Sequence, residues 1–251
     1  MSKAPLDEAR IDQFHRDGFL SFGQLADAET VRALRDTYDD MLSGAIDVSP
    51  TDNPLGRIVR QIMSPSAYHP IFRSNPALDA AREIARALLG AAEPQPVFDM
   101  LIYKEPGQLA ETPWHQDFSY TRMPFAPAAC AVPADAVLQF WLALDDVDED
   151  NGCMHFVPGR HREPMLEHYV ASGEPDYSQR LLAIRDPQSQ LDLRAAVACP
   201  LPAGGATVHT YGTPHYTSGN RTPDRPRRAY IFNFSTPAFH SDAVARRRAS
   251  V

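Results

Sequence analysis

A chain of 251 residues with 43% hydrophobic content has enough apolar matter for a substantial core, which excludes a disordered protein. Its formal net charge of −8 argues against a nucleic-acid partner and gives no polybasic anchor for a membrane surface. Cys130, Cys153 and Cys199 are widely spaced without a CxxC, so they read as reduced thiols of a cytoplasmic protein, not as a disulfide framework or zinc site. The opening MSKAPLDEAR holds no apolar run of signal-peptide kind, and no stretch is long enough to span a bilayer.

Residues 6–17 are predicted helical, with Ile11, Phe14 and later Phe19 supplying an apolar side and Gly18 the stop. A second helix is expected from the N-cap Asp27, with Val31, Leu34, Tyr38 and Met41 at helical spacing up to Gly44. Residues 45–74 carry Pro50, Pro54, Pro65 and Pro70 and are expected to be irregular. Asn75-Pro76 supplies the cap and first turn of a third helix, whose stripe of Leu78, Ile84 and Leu88 ends at Gly90. Strands then dominate: 97–103, a Gly/Pro loop at 105–113, the very apolar 136–144, an acidic turn at 145–152, 153–157, 196–199, 206–211 and 227–234. The Pro/Ala-rich run 124–133 reads as an insertion over the site, 163–195 has no clear period, and Arg246, Arg247 and Arg248 form a solvated tail. With no repeat or linker, one domain is expected over 1–251: a helical part at 1–94, then a β-sandwich or barrel at 95–238.

The chemistry centres on Trp114-His115-Gln116-Asp117 and, a hundred residues later, Thr213-Pro214-His215-Tyr216. In an extended segment His115 and Asp117 leave the same face. A third ligand from a distant strand would make two imidazoles and a carboxylate, a facial set suited to non-haem Fe(II). So short a pattern also recurs by chance, as a plain surface pair. The acidic turn with Asp146, Asp148 and Asp150 fails as a calcium loop, because Asn151 and Val157 stand where Gly and Glu are needed. No GxSxG or P-loop is present.

His15, His69, His168 and His240 read as surface groups, while His155 and His161 flank a loop that they could orient. His209 is either a group beside the metal or substrate, or a core histidine satisfied locally, since Gly212 and Pro214 interrupt its strand before His215. Arg221 and Arg225 are expected to be solvated. Arg227 and Arg228 open a strand, so alternation turns one of them inward, where burial is costly unless a carboxylate meets it. A dicarboxylate co-substrate would do so in bidentate fashion.

These blocks, with WLALDDVDEDNGCMHFVPGRH at 141–161, HYTSGNRTPDRPRRAY at 215–230 and the opening Phe14-His15-Arg16-Asp17-Gly18-Phe19, resemble the phytanoyl-CoA dioxygenase family in the correct order. The resemblance implies a double-stranded β-helix (a jelly-roll, cupin-like), mainly β with N-terminal helices, that uses Fe(II), 2-oxoglutarate and O2 to oxidise a small organic substrate. It places the metal ligands at His115, Asp117 and His215, and the arginine for the far carboxylate of 2-oxoglutarate at Arg227. Thr217 matches an assisting hydroxyl, with Ser218 left open beside it, and Met100, Gln116 and Trp141 fall where members line the co-substrate pocket. The family's usual Pro-Gly-Ser-His reads Pro158-Gly159-Arg160-His161 here. Related halogenases replace the carboxylate ligand with a small residue, so Asp117 favours hydroxylation, desaturation or rearrangement. Phe118, Tyr120, Met123, Phe125, Trp141 and His209 are the candidates for the substrate side, and the oligomeric state is left open. Alternative readings are a jelly-roll isomerase or epimerase that spares 2-oxoglutarate, and a non-catalytic binding protein; neither needs an inward arginine.

Overall fold

Each of the three long helices begins at a side-chain cap. Helix α1, Glu8–Asp17, starts where Asp7 accepts from the Arg10 N–H and ends at Gly18, whose φ of 86° lies in the left-handed region. Helix α2, Ala28–Ser43, is capped by Asp27 and buries Val31, Leu34, Tyr38 and Met41. Helix α3, Pro76–Leu89, follows the Asn75 cap. Each cap satisfies a backbone donor that the helix itself leaves without a partner. These features belong to a computed structural model that describes residues 6–55, 59–121, 136–171 and 181–240. Met123, Phe125, Cys130, the 124–133 insertion and the arginine tail lie outside the described residues.

The strands are β1 Phe19–Phe22, β2 Asp52–Leu55, β3 Val59–Met63, β4 Gln95–Lys104, β5 Thr112–His115, β6 Val137–Ala143 and β7 Met154–Phe156. They continue with β8 His168–Val170, β9 Leu182–Ile184, β10 Val197–Cys199, β11 Ala206–Thr210, β12 His215–Thr217 and β13 Arg227–Ser235. Two short helices, α4 Phe118–Thr121 and α5 Pro187–Gln190, sit in the connections. A seven-stranded sheet runs β1-β11-β6-β13-β4-β3-β2, a four-stranded sheet runs β10-β7-β12-β5, and β8 pairs with β9 alone. Pairing is antiparallel throughout, and the two larger sheets face one another as a double-stranded β-helix.

The central strand β6 shows why the layers stack. Its Leu138, Phe140 and Leu142 pack with Leu34, Tyr38, Ile84 and Leu88 of the helices, while Trp141 and Ala143 pack with Ile231, Met154 and Phe156 between the sheets. A strand covered on both sides loses its alternation and reads as a continuous apolar run. Phe140 is fully buried and stacks on Phe232, so Phe140→Ala should cost roughly 3–5 kcal/mol.

Three expectations are corrected. Phe19 opens β1, where it stacks on Phe156 at 4.5 Å between ring centroids, because Gly18 ends the helix before it. Residues 52–55 and 59–63 form β2 and β3 at one edge of the large sheet; Pro54 is tolerated in β2 because an edge strand leaves donors unpaired. The part up to residue 94 is therefore not purely helical: β1, β2 and β3 all belong to the large sheet. The unassigned 163–195 contains the β8–β9 ribbon and α5. No helix among the described residues is long and apolar enough to cross a membrane. Burial pushes the thiols of Cys153 and Cys199 up to about 11 and about 12, so both stay as inert thiols.

Candidate active site

Pairing of β5 with β12 sets His115 directly opposite His215, with ring centroids 4.1 Å apart. Asp117 is not on the strand: the chain turns after His115, where Ser119 N–H donates to Gln116 O and Tyr120 N–H donates to Asp117 O. The turn still brings the carboxylate back. Asp117 Oδ1 lies 3.7 Å from the Nε2 of both His115 and His215, and one ligand atom from each of the three buried residues lies within 4.8 Å of the others. His115 Nδ1 is 2.8 Å from Pro113 O and His215 Nδ1 is 3.0 Å from Thr213 O. Each Nδ1–H therefore donates to a backbone carbonyl, which leaves each Nε2 lone pair free for a metal.

Electrostatics favour the same state. Burial lowers the pKa of both imidazoles, that of His215 well below the ordinary value, so both are neutral at pH 7, the state a metal ligand needs. Burial alone would raise Asp117, but His215, His209 and His115 outweigh it and hold the carboxyl at about 2. His209 on β11 is fully buried, and its Nε2 lies 3.1 Å from Asp117 Oδ2. The strand does break between His209 and His215, as Gly212 and Pro214 lead one to expect, yet their rings come within 4.5 Å.

Strand alternation at β13 separates the two arginines. Arg227 is 1% exposed, with Cζ 5.5 Å from the Trp141 ring centroid, and its Nε and Nη1 have no hydrogen-bond partner. Burial lowers its pKa to about 10. Arg228 faces the helices, where it bonds Asp145 at 2.8 Å and Asp39 at 2.7 Å. Thr217 is buried and accepts from Lys104 Nζ at 3.0 Å, whereas Ser218 Oγ donates to Glu149 O. Thr217 is thus the inward hydroxyl. Gly152, at φ 95°, closes the acidic turn against this region; a Cβ there would stand 2.7 Å from Ser218 O and 3.7 Å from Arg227 Nε.

Other candidates fall into supporting places. Met100 packs with Trp141 between the sheets. Gln116 braces the loops, its amide donating to Gly212 O at 2.7 Å and accepting from Leu166 N–H at 2.9 Å. Tyr120 sets its ring edge-on to His115, while its hydroxyl accepts from Leu182 N–H; Phe118 packs edge-on against Tyr211. His168 is not a free surface group, since its Nε2 accepts from the Gln116 N–H at 3.0 Å. Arg225 and Arg221 are not merely solvated either: they pair with Asp148 and Asp150 and tie 221–225 to the acidic turn. Lys104 was missed altogether. It is fully buried opposite Arg227, and the signal lay in alternation along β4, where Met100, Ile102 and Lys104 share a face.

The cluster of two imidazole nitrogens and one carboxylate oxygen fits Fe(II), and a buried guanidinium with unbonded N–H groups fits an incoming carboxylate. Fold and site together define an oxygenase that works with non-haem iron and 2-oxoglutarate. The family model of phytanoyl-CoA dioxygenase (PhyH) matches residues 14–229, and the chain belongs to that family. It is 28% identical over 231 residues, 90% of this chain and 71% of the relative, to phytanoyl-CoA dioxygenase domain-containing protein 1 of Danio rerio. It is 25% identical over 254 residues to ectoine dioxygenase of Stutzerimonas stutzeri, covering 93% of this chain and 78% of the relative. Among solved structures it is similar to EvdO2 from Micromonospora carbonacea var. aurantiaca complexed with 2-oxoglutarate, at TM-score 0.75 and 32% identity, covering 94% of this chain and 93% of that one.

Proposed function

We propose that His115, Asp117 and His215 ligate the iron, that Arg227 and Thr217 receive the distal carboxylate of 2-oxoglutarate, and that the whole chain acts as one catalytic domain oxidising a small organic molecule of secondary metabolism. The observation that carries this is Arg227: a fully buried cation with unbonded N–H groups is costly unless an anion completes it. When bound together, iron and 2-oxoglutarate use O2 to hydroxylate or otherwise oxidise a substrate carbon, with release of succinate and carbon dioxide.

The chain's own residues prepare that reaction. The carbonyls of Pro113 and Thr213 fix both ligand rings in the Nδ1–H tautomer. His209 occupies one carboxylate oxygen of Asp117 and leaves the other for the metal. Trp141 lies against the Arg227 guanidinium and shields it from water. Asp117 fills the position that a halide ligand would need, which favours oxygenation over halogenation. Tyr120 and Phe118 stand on the substrate side, and the small substrate named for ectoine dioxygenase supports the same class here. The inert thiols support a cytoplasmic setting.

Anaerobic addition of Fe(II) and 2-oxoglutarate should give the weak visible charge-transfer band of the chelate, and His115→Ala or His215→Ala should remove it. A band of wild-type strength in either variant would show that residue not to be a ligand.

A further inference from the structure

Lys104 ends β4 directly opposite Arg227 on β13, so the structure buries two cationic side chains next to each other. Burial lowers the Lys104 pKa well below the ordinary value, and Arg227 adds to the effect. Its three acceptors are all uncharged: Ser218 O at 2.7 Å, Thr217 Oγ1 at 3.0 Å and Ala110 O at 3.3 Å. So expensive an arrangement calls for a return.

The return lies in the direction of one hydrogen. Two of the acceptors are carbonyls, which can only receive, and an ammonium has three hydrogens to give. With two spent on Ser218 O and Ala110 O, the third points to Thr217 Oγ1. A hydroxyl oxygen that receives Lys104's hydrogen must direct its own hydrogen elsewhere. Thr217 is buried on the strand that carries His215, and Ser218 beside it shares the Gly152 wall with Arg227.

We propose that Lys104 is a positioning residue of the co-substrate site: its ammonium holds the Thr217 hydroxyl as a donor toward the distal carboxylate of 2-oxoglutarate. This rests on the reading of Arg227 and Thr217 given above. Lys104 acts through Thr217 and reaches the carboxylate only as a second nearby positive charge. It therefore contributes to choosing a 2-oxo dicarboxylate over a 2-oxo acid that lacks the far carboxylate.

The test is anaerobic titration of the Fe(II)-loaded protein with 2-oxoglutarate and, separately, with 2-oxopentanoate, which keeps the chelating end alone. Lys104→Met and Thr217→Val should each weaken 2-oxoglutarate binding roughly tenfold to a hundredfold, the range for a lost hydrogen bond to a charged group. The double variant should be no weaker than the weaker single one, and 2-oxopentanoate should bind all of them alike. Lys104→Gln, which keeps amide hydrogens for the two carbonyls but drops the charge, should show the same selective loss if Lys104→Met does not fold. Equal weakening of both ligands, or losses that multiply in the double variant, would overturn the proposal in favour of a purely structural lysine. If Thr217→Val leaves 2-oxoglutarate binding intact, the reading of Thr217 fails and the proposal goes with it. If Thr217→Val weakens binding while both Lys104 variants do not, the proposal alone fails.

Discussion

His209 and Asp117 divide the carboxylate between them: Oδ2 lies 3.1 Å from His209 Nε2, while Oδ1 turns to the Nε2 atoms of His115 and His215, both at 3.7 Å. One oxygen is fixed by His209, and the other is left facing the two imidazoles.

Replacing His209 by Phe keeps a ring in the fully buried site but frees Oδ2. Iron affinity should fall tenfold to a hundredfold, the usual cost of losing a partner that orients a ligand, about 1.4–2.7 kcal/mol. Metal titration of the variant is the measurement, and an unchanged isotherm would make His209 a packing residue.

Arg227 and Arg228 should part company. Arg227→Met removes a buried cation with unbonded N–H groups, so 2-oxoglutarate binding should weaken by about 1.5–3 kcal/mol while the thermal midpoint of the ligand-free protein holds or rises. Arg228→Ala breaks the ion pairs with Asp145 and Asp39 and leaves Asp145 with Arg35 and the backbone N–H of residue 228, so stability should drop by on the order of 3 kcal/mol with co-substrate binding unchanged. The reverse pattern would mean that the strand is read one residue out of step.

Acid should act on the buried cluster of His115, Asp117 and His215 before the fold at large. The imidazoles of His115 and His215 have folded pKa values below the unfolded one, so the unfolded chain binds more protons once pH drops under about 6.5. Stability present above that pH is lost as it falls, and the Asp117 contribution follows between its unfolded value of 3.8 and about 2. Thermal midpoints of the metal-free protein should therefore decline below pH 6.5, and the decline should be shallower in a His115→Gln/His215→Gln variant. Parallel curves would place the titrating groups elsewhere.

On the proposed ligand set Asp117 holds the coordination place a halide would take, so chloride or bromide in excess should leave the product unchanged. Mass spectrometry of the wild-type product decides it: an added oxygen or the loss of two hydrogens supports oxidation, and a halogen in the product refutes it.

Much of this was legible because local signals are chemically strict. Asp27, Asn75, Gly18, Gly44 and Gly90 mark helix ends by what their side chains and backbones can do, and all of them stand at those ends. Alternation put one of Arg227 and Arg228 inward, and the family resemblance named Arg227 as that one, which is the buried arginine of β13. What stayed hidden depends on partners distant in the chain. Residues 52–55 and 59–63 pair at the edge of a sheet despite Pro54. His168 earns its place only by meeting Gln116, 52 positions away. Lys104 looks like a solvated strand end until register sets it against Arg227 and folding brings Thr217 to it across 113 positions.

The segment after α1 also reaches far. Gly18 O accepts from Thr210 N–H and from Thr213 Oγ1, Asp17 O accepts from Gly159 N–H, and Phe19 stacks on Phe156. The loop that delivers His215 is thus held by residues that leave the ribosome almost two hundred positions earlier. During synthesis the early residues must wait for these partners, because His215 and Arg227 emerge only after the strands from β4 to β11. The cluster of His115, Asp117 and His215 can therefore take its final geometry only once residue 215 has been made, long after the helices at 8–17 and 28–43.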